Sequence, residues 1–199
     1  MGETYFWDEF VNFSTGKEQG RILFGDSFDE TFKKLSAQAL KMSLYEIAKK
    51  SSLHQDFDIK HKEEYAEHGP MTGKLFFGKY VSARSAGNYL AGYNGTHRGR
   101  KGLARIRLDY IGYMKAAGYY NATGRKDFKM FVSGLTGKSK YPGPTYGEDL
   151  YSARWIARGI QNNPNMVKLR LQKHQDILNY QSAIENYDTD TNLQKYFKR

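Results

Sequence analysis

Residues 82–99, SARSAGNYLAGYNGTHRG, decide how this chain folds. Ser82 is a helix N-cap residue, and we predict a helix over residues 83–94. The small side chains of this stretch let neighbouring backbones approach closely. Asn88 and Gly92 share a helical face at i, i+4. The composition is typical either of a tightly packed helix or of the wall of a binding site, and the flanking segments must decide between the two.

The segments before this stretch predict one helix and two extended elements. Apolar side chains at helical spacing over residues 27–52 predict a core helix. Residues 74–82 predict a small β-hairpin. Between them, alternation of apolar and charged residues predicts a short strand that places Asp56, Asp58 and Lys60 on one face.

The amino-terminal region is rich in aromatic residues. Phe6, Phe10 and Phe13 follow one another at i, i+4, i+7, which predicts a short helix packed on one face. Residues 21–24 (RILF) predict a short strand.

The segments after residue 96 are predicted to be mainly helical. A basic run, residues 97–107, leads into a helix that we expect to end at Gly118. A second helix is predicted over residues 147–160. Glu148 and Asp149 then lie in its first turn, where the helix dipole favours acidic residues.

Composition limits the class of protein and of partner. The chain has 199 residues, a net charge of +10, 16 tyrosines and no cysteine. The lack of cysteine excludes a disulfide scaffold and thiolate zinc sites. No window approaches 18 apolar residues, so no membrane span is predicted. The positive charge favours a polyanionic partner such as nucleic acid or a cell-wall polymer.

These patterns predict a mainly α fold with a small β-hairpin, of the α+β class. We expect a single compact helical domain over residues 1–187, with an aromatic amino-terminal segment and a long carboxyl-terminal helix. Its core is predicted over about residues 27–163, the last helix within 164–187, and a tail over 188–199.

Several common site motifs are absent from the sequence. The run GLTGKS at residues 134–139 ends like a phosphate-binding loop, but Val132 stands where that loop needs glycine. There is no HExxH and no GxSxG motif. His54, His61 and His68 recur every seven residues, but the predicted strand and the Gly-Pro break separate their faces. We therefore predict neither a metal site nor a cofactor.

The strongest acid–base candidate is the group Asp56, Asp58 and Lys60. Carboxylates on one face repel each other and raise one pKa, which suits a general acid or base, and Lys60 offsets this. The alternative is a solvated edge with salt bridges. The basic run either clamps phosphates or is a solvated helix start. Glu148 and Asp149 are either first-turn acids or a second catalytic carboxylate.

Two groups of short motifs resemble the polymorphic toxin type 44 family. The first group comprises Asp58–Ile59–Lys60, Gly87–Asn88–Tyr89, Gly92–Tyr93, Gly95 and Gly99; the second comprises Gly147–Glu148–Asp149, Ile156 and Gly159–Ile160. The likeness spans about residues 54–163 and keeps the order of the motifs. The chain departs from the family pattern at Ser85, Leu150 and Ser152, where the family tends to have Asp, Pro and Asp.

The resemblance implies an antibacterial effector domain at the carboxyl end of a larger secreted bacterial protein. Such a domain is made in the producer cytoplasm, here without a predicted signal peptide, and is delivered into a target bacterial cell. The implied partner is a dedicated immunity protein, and we expect either a monomer or a heterodimer with that protein.

Three functions follow as hypotheses. The first is a metal-independent ribonuclease, in which Asp58 or a neighbouring carboxylate is the general base and Asn88 positions a phosphate or base. The second is a peptidoglycan glycosidase that pairs Asp58 with Glu148. The third is a basic binding module without enzymatic activity.

The predicted site residues fall into two sets. The catalytic set is Asp58, Lys60, Asn88, Glu148 and Asp149; the substrate-binding set is Tyr93, His97, Arg98 and Lys101. Either enzymatic hypothesis requires Asp58, Asn88 and one of the Glu148–Asp149 pair to converge on one concave site.

Overall fold

The computed structural model describes residues 2–6, 9–12, 17–18, 20–96, 110–123 and 145–164. The helices within these ranges are α1 (Asp29–Ala39), α2 (Leu44–Lys50), α3 (Ala83–Gly95), α4 (Tyr110–Thr123) and α5 (Leu150–Asn162). The strands are β1 (Val11–Asn12), β2 (Lys17–Glu18), β3 (Arg21–Ser27), β4 (Thr72–Phe76) and β5 (Lys79–Ser82). Helices combined with a small sheet make this a mixed α+β fold. Within the described ranges, every helix is too short or too polar to cross a membrane.

The predicted hairpin is confirmed, and a third strand joins it. Strand β4 pairs antiparallel with β5 and parallel with β3, in the order β3–β4–β5. The two-residue turn has φ of 48° at Phe77 and 83° at Gly78. Positive φ at both positions gives the turn the twist of the flanking strands. The strand predicted at residues 21–24 is β3, which continues to Ser27.

The single helix predicted over residues 27–52 is wrong, because the chain breaks between α1 and α2. Ser43 begins α2: its hydroxyl accepts from Glu46 N at 3.3 Å, and Glu46 Oε2 accepts from Ser43 N at 2.7 Å. This reciprocal capping box satisfies backbone N–H groups at the start of a new helix. The apolar spacing runs across the break, so periodicity alone does not reveal it.

Helices α3 and α5 pack backbone against backbone. A Cβ atom added to Gly92 would overlap the carbonyl oxygen of Ile156 and lie 2.9 Å from its carbonyl carbon. A Cβ added to Gly159 would overlap the carbonyl oxygen of Tyr89 in the same way. Each helix therefore contributes one glycine to the contact. The two backbones can lie this close only because these glycines have no side chains. The helix predicted over residues 83–94 and its cap at Ser82 are confirmed.

Among the described residues, side chains from the sheet and the helices form two buried clusters. The larger one joins α1, α2, the sheet, α3 and one face of α5; its largest fully buried members are Phe28, Leu35, Ile47, Ile59, Phe76, Val81, Leu90 and Trp155. The smaller one joins α4 to the opposite face of α5 through Met114, Ile156 and Ile160. Helix α5 is thus covered on both faces.

The short helix predicted from Phe6, Phe10 and Phe13 is wrong. The backbone of Thr4 instead forms a bridge with Tyr80, and Val11 lies in strand β1. The rings of Tyr5 and Phe6 each meet the Trp155 ring edge-to-face at 5.5 Å between centroids. Packing against Trp155 of α5 therefore half-buries Tyr5 and Phe6 without a helix.

The amino-terminal segment also caps α3. The Glu9 side chain is fully buried, and its Oε1 accepts from Ser82 N at 2.7 Å and from Ser82 Oγ at 3.0 Å. Burial raises the pKa of this carboxyl, while hydrogen bonds from Ser85, Ser82 and Tyr151 oppose the shift. Residues that are distant in sequence thus meet at the start of α3.

Two predicted helix boundaries after residue 96 are wrong. Helix α4 continues past Gly118 to Thr123. Gly118 has a packing role instead of ending the helix, because a Cβ there would overlap the carbonyl oxygens of Thr145 and Tyr146. Helix α5 begins at Leu150 with Asp149 as its N-cap, so Glu148 precedes the helix. The basic run, the loop at residues 134–139, and the predicted last helix and tail lie outside the described residues, apart from Pro164.

The glycine contact gives the first prediction. Gly92→Ala and Gly159→Ala should each lower the free energy of unfolding by about 1–3 kcal/mol or more, because the overlapping atoms belong to a backbone that cannot rotate away. In an unconstrained helix the same change would stabilise by about 1 kcal/mol. Urea denaturation measures the difference.

Gly87→Ala in the same helix is the matched control. A Cβ there would lie 3.7 Å from the Ile59 Cβ, which is an ordinary contact. This variant should be as stable as the wild type or slightly more so. Equal midpoints for Gly87→Ala and Gly92→Ala would contradict the interpretation of the helix contact.

Candidate active site

A cavity of about 430 Å³ lies between α2, α3, α4 and the start of α5. Four residues predicted from the sequence line it: Lys60, Asn88, Glu148 and Asp149. Its apolar wall includes Leu44, Ile47, Ala91, Ala117 and Ile156, and its further polar lining includes Tyr45, Gln55, Tyr119, Tyr120, Asn121 and Ser152. Such a concave surface with a few convergent polar groups is typical of a ligand site.

A chain of hydrogen bonds fixes the polar end of the cavity. The Asn88 side-chain amide donates to Ser152 Oγ at 2.9 Å, which joins α3 to α5. Ser152 N in turn donates to Asp149 Oδ1 at 2.9 Å and completes the N-cap of α5. Because Asn88 is buried, its hydrogen bond to Ser152 fixes the orientation of the side chain. Asp149 therefore has a structural role at the helix terminus while it lines the cavity.

Glu148 is a carboxyl of the cavity whose acidity is strongly altered. Burial raises its pKa to about 8, the neighbouring Asp149 adds to the shift, and the charge of Lys60 opposes it. Its Oε1 accepts from Asp149 N at 3.3 Å, and its own N–H donates to Thr145 O at 3.1 Å. A carboxyl with this pKa is largely protonated at pH 7 and can donate a proton.

Lys60 reaches the cavity from a turn, and the strand predicted around it is wrong. Residues Ile59–His61 form one turn of 3-10 helix, with Ile59 buried in the core and Lys60 in the cavity wall. Asp56, Asp58 and Lys60 consequently do not share a face. Asp56 is exposed and pairs with Lys50 and Lys62, which lowers its pKa.

Asp58 does not line the cavity, so the structure does not bring it to the other predicted catalytic residues. Its side chain is 4% exposed and turns toward two histidines of its own loop. Asp58 Oδ2 accepts from His54 N at 2.7 Å and lies 2.9 Å from His61 Nδ1. These bonds close the turn, which explains why alternation over five residues did not produce a strand.

The predicted substrate-binding residues are only partly accounted for. The ring of Tyr93 packs edge-to-face on Phe32 at 4.9 Å and is absent from the cavity lining. Burial raises the pKa of its hydroxyl. His97, Arg98 and Lys101 lie outside the described residues.

Sequence reasoning missed the contribution of α4. Tyr119, Tyr120 and Asn121 line the cavity from the last turns of that helix. The Asn121 amide donates to Gly147 O at 3.1 Å and so holds the loop that carries Glu148. The sequence did contain a signal for this contribution. Three consecutive side chains that can form hydrogen bonds, Tyr119, Tyr120 and Asn121, directly follow Gly118. Within the described ranges, no group of three His, Asp or Glu side chains is placed to hold a metal ion.

The acidity of Glu148 gives a prediction about stability. The folded pKa of about 8 exceeds the ordinary value of 4.5, so between these two pH values the folded chain binds more protons than the unfolded chain. The free energy of unfolding should therefore fall as pH rises through this window, by at most about 1.4 kcal/mol per pH unit from this group.

Glu148→Gln should remove this slope, because glutamine has the shape of the protonated acid and does not titrate. Urea unfolding from pH 5 to pH 9 compares the variant with the wild type. Glu9, whose pKa is also raised, contributes to both proteins alike. Parallel curves for the two proteins would contradict the assignment to Glu148.

The cavity gathers residues from both groups of short sequence motifs: Lys60 and Asn88 from the first, Glu148 and Asp149 from the second. The chain matches no family model, no curated protein and no solved structure.

Proposed function

We propose that this chain is a hydrolase that cleaves RNA, with Glu148 as its proton donor. The observation that carries the proposal is a carboxyl with a pKa of about 8 in the same cavity as Lys60. The positive charge of Lys60 acts on Glu148 and opposes the rise in its pKa. A neutral acid beside a cation suits a substrate that is an anion and whose leaving oxygen needs a proton.

The chemistry is a transfer within the RNA backbone. The ribose 2′-hydroxyl attacks the adjacent phosphorus, and the bond from phosphorus to the 5′-oxygen breaks. Glu148 gives its proton to that leaving oxygen, and Lys60 stabilises the negative charge on the phosphoryl oxygens. Solvent water accepts the proton of the 2′-hydroxyl. Exchange with solvent then restores the proton of Glu148.

The arrangement of carboxyls favours RNA over a glycan. A glycosidase needs two carboxyls about 5–5.5 Å or about 6.5–9.5 Å apart on either side of a sugar. Glu148 and Asp149 are consecutive residues, and the Asp149 N–H donates to Glu148 Oε1 at 3.3 Å, so this pair enters the cavity from one position rather than from two sides of a sugar. Asp58, the other carboxyl considered for this role, does not line the cavity. The net charge of +10 and the tyrosines of the lining support a polyanion with stacking bases.

The resemblance of the motif residues to the polymorphic toxin type 44 family extends the proposal. The chain acts as an antibacterial effector domain that is delivered into a target cell and neutralised by an immunity protein. Both motif groups contribute side chains to the one cavity, which supports a shared functional role for them.

Cleavage in vitro gives the first functional prediction. The purified chain should cut single-stranded RNA in the presence of EDTA, and the rate should fall as pH rises through about 8, because Glu148 then loses its proton. Glu148→Gln should slow cleavage by about 10²–10⁴-fold. Gel or fluorescence assays of a labelled RNA measure both effects.

Glu30→Gln is the control, since it makes the same chemical change at an exposed position of α1 that pairs only with Lys33 among described residues. It should cut RNA at the wild-type rate. Digestion of peptidoglycan without cleavage of RNA would overturn the nuclease proposal in favour of the glycosidase.

Expression in two compartments gives a second functional prediction. The chain should stop bacterial growth when it is made in the cytoplasm, where RNA is accessible, and Glu148→Gln should abolish this toxicity. Export to the periplasm should be harmless. Toxicity confined to the periplasm would contradict an RNA target.

A further inference from the structure

One buried carboxylate organises two histidines at the surface, away from the cavity. Asp58 Oδ2 accepts the backbone N–H of His54 at 2.7 Å, and the same oxygen lies 2.9 Å from His61 Nδ1. Oδ1 lies 3.1 Å from that nitrogen as well. The carboxylate thus fixes the backbone of one histidine and the ring of the other.

These contacts decide which nitrogen of His61 is available. An ionised carboxylate can only accept a hydrogen bond, so Nδ1 carries the proton and donates to Asp58. Nε2 of the neutral ring then keeps its lone pair. The His61 side chain is 29% exposed, so a solute can reach the ring. A carboxylate behind Nδ1 is the usual support of a metal-binding histidine, because it fixes the tautomer and raises the basicity of the ligand.

The distance between the two rings fits a shared ion. The centroids of His54 and His61 lie 5.5 Å apart, and the ring planes are inclined at 65°. Two imidazoles bound to Zn²⁺ at about 2.0–2.1 Å with a tetrahedral angle have centroids roughly 5.3 Å apart. His54 is exposed, so its ring can adjust to an arriving ion.

We propose that His54 and His61 form a binding site for Zn²⁺, positioned by Asp58. Water completes the coordination, since no third protein ligand is in place among the described residues. The site is of the nitrogen-donor type that favours zinc over magnesium. It is independent of the cavity, because neither histidine lines it.

Titration with Zn²⁺ tests the proposal. Calorimetry on the full chain, with any affinity tag removed, should show saturable binding, and Mg²⁺ should give none. His54→Ala and His61→Ala should each remove one equivalent of bound zinc. Asp58→Asn should weaken binding by about 10–100-fold through loss of the positioning carboxylate.

His68→Ala is the matched control, since this exposed histidine belongs to the next turn and is not part of the pair. It should bind zinc like the wild type. Circular dichroism checks that each variant is folded, and the two alanine variants keep the test valid if Asp58→Asn is not. Zinc binding that is absent, or that persists in the His54→Ala/His61→Ala double variant, would overturn the proposal.

Discussion

The close approach of α3 and α5 is the constraint on which the rest of the structure depends. At Gly92 and at Gly159, a backbone carbonyl of the other helix occupies the space that a side chain would fill. At this separation Asn88, one turn before Gly92, reaches Ser152 at the start of α5. The same packing places the loop before α5 beside the cavity, with Glu148 in it. If the helices were further apart, the hydrogen bond from Asn88 to Ser152 would be lost, and the polar end of the cavity would no longer be held in place.

Asp58 has a different role from the one its sequence context indicates. Alternation of charged and apolar residues made it a candidate base in an open strand, whereas the structure buries its carboxylate within a turn. From there it sets the conformation of residues 54–61 and thereby directs Lys60 toward the cavity. Its influence on the candidate active site therefore passes through the backbone. Five alternating residues cannot distinguish a strand from a turn that one carboxylate closes.

How well a feature could be predicted depends mainly on how far apart its interacting residues lie in the sequence. The hairpin and the Ser82 cap depend on residues within a few positions, and both were predicted correctly. The break before α2 was missed because the apolar spacing continues across it, although the Ser43–Glu46 capping box marks the start of a new helix. The amino-terminal helix was wrong because the rings of Tyr5 and Phe6 pack on Trp155, which is far along the chain. Lys60, Asn88, Glu148 and Asp149 do meet in one cavity, but the Glu148 pKa depends on burial that only the assembled fold creates.

The pairing of α3 with α5 also determines how late in protein synthesis the fold can be completed. Asn88 and Ser152 are 64 residues apart, and the Tyr151 hydroxyl bonds the backbone of Glu9 across 142 residues. Long-range contacts of this kind form late, because a large loop must close before they stabilise anything. The glycine face of α3 therefore stays uncovered on a ribosome until α5 has emerged. Glu148 emerges immediately before α5, so this buried carboxyl and the helix that shapes its surroundings leave the ribosome together.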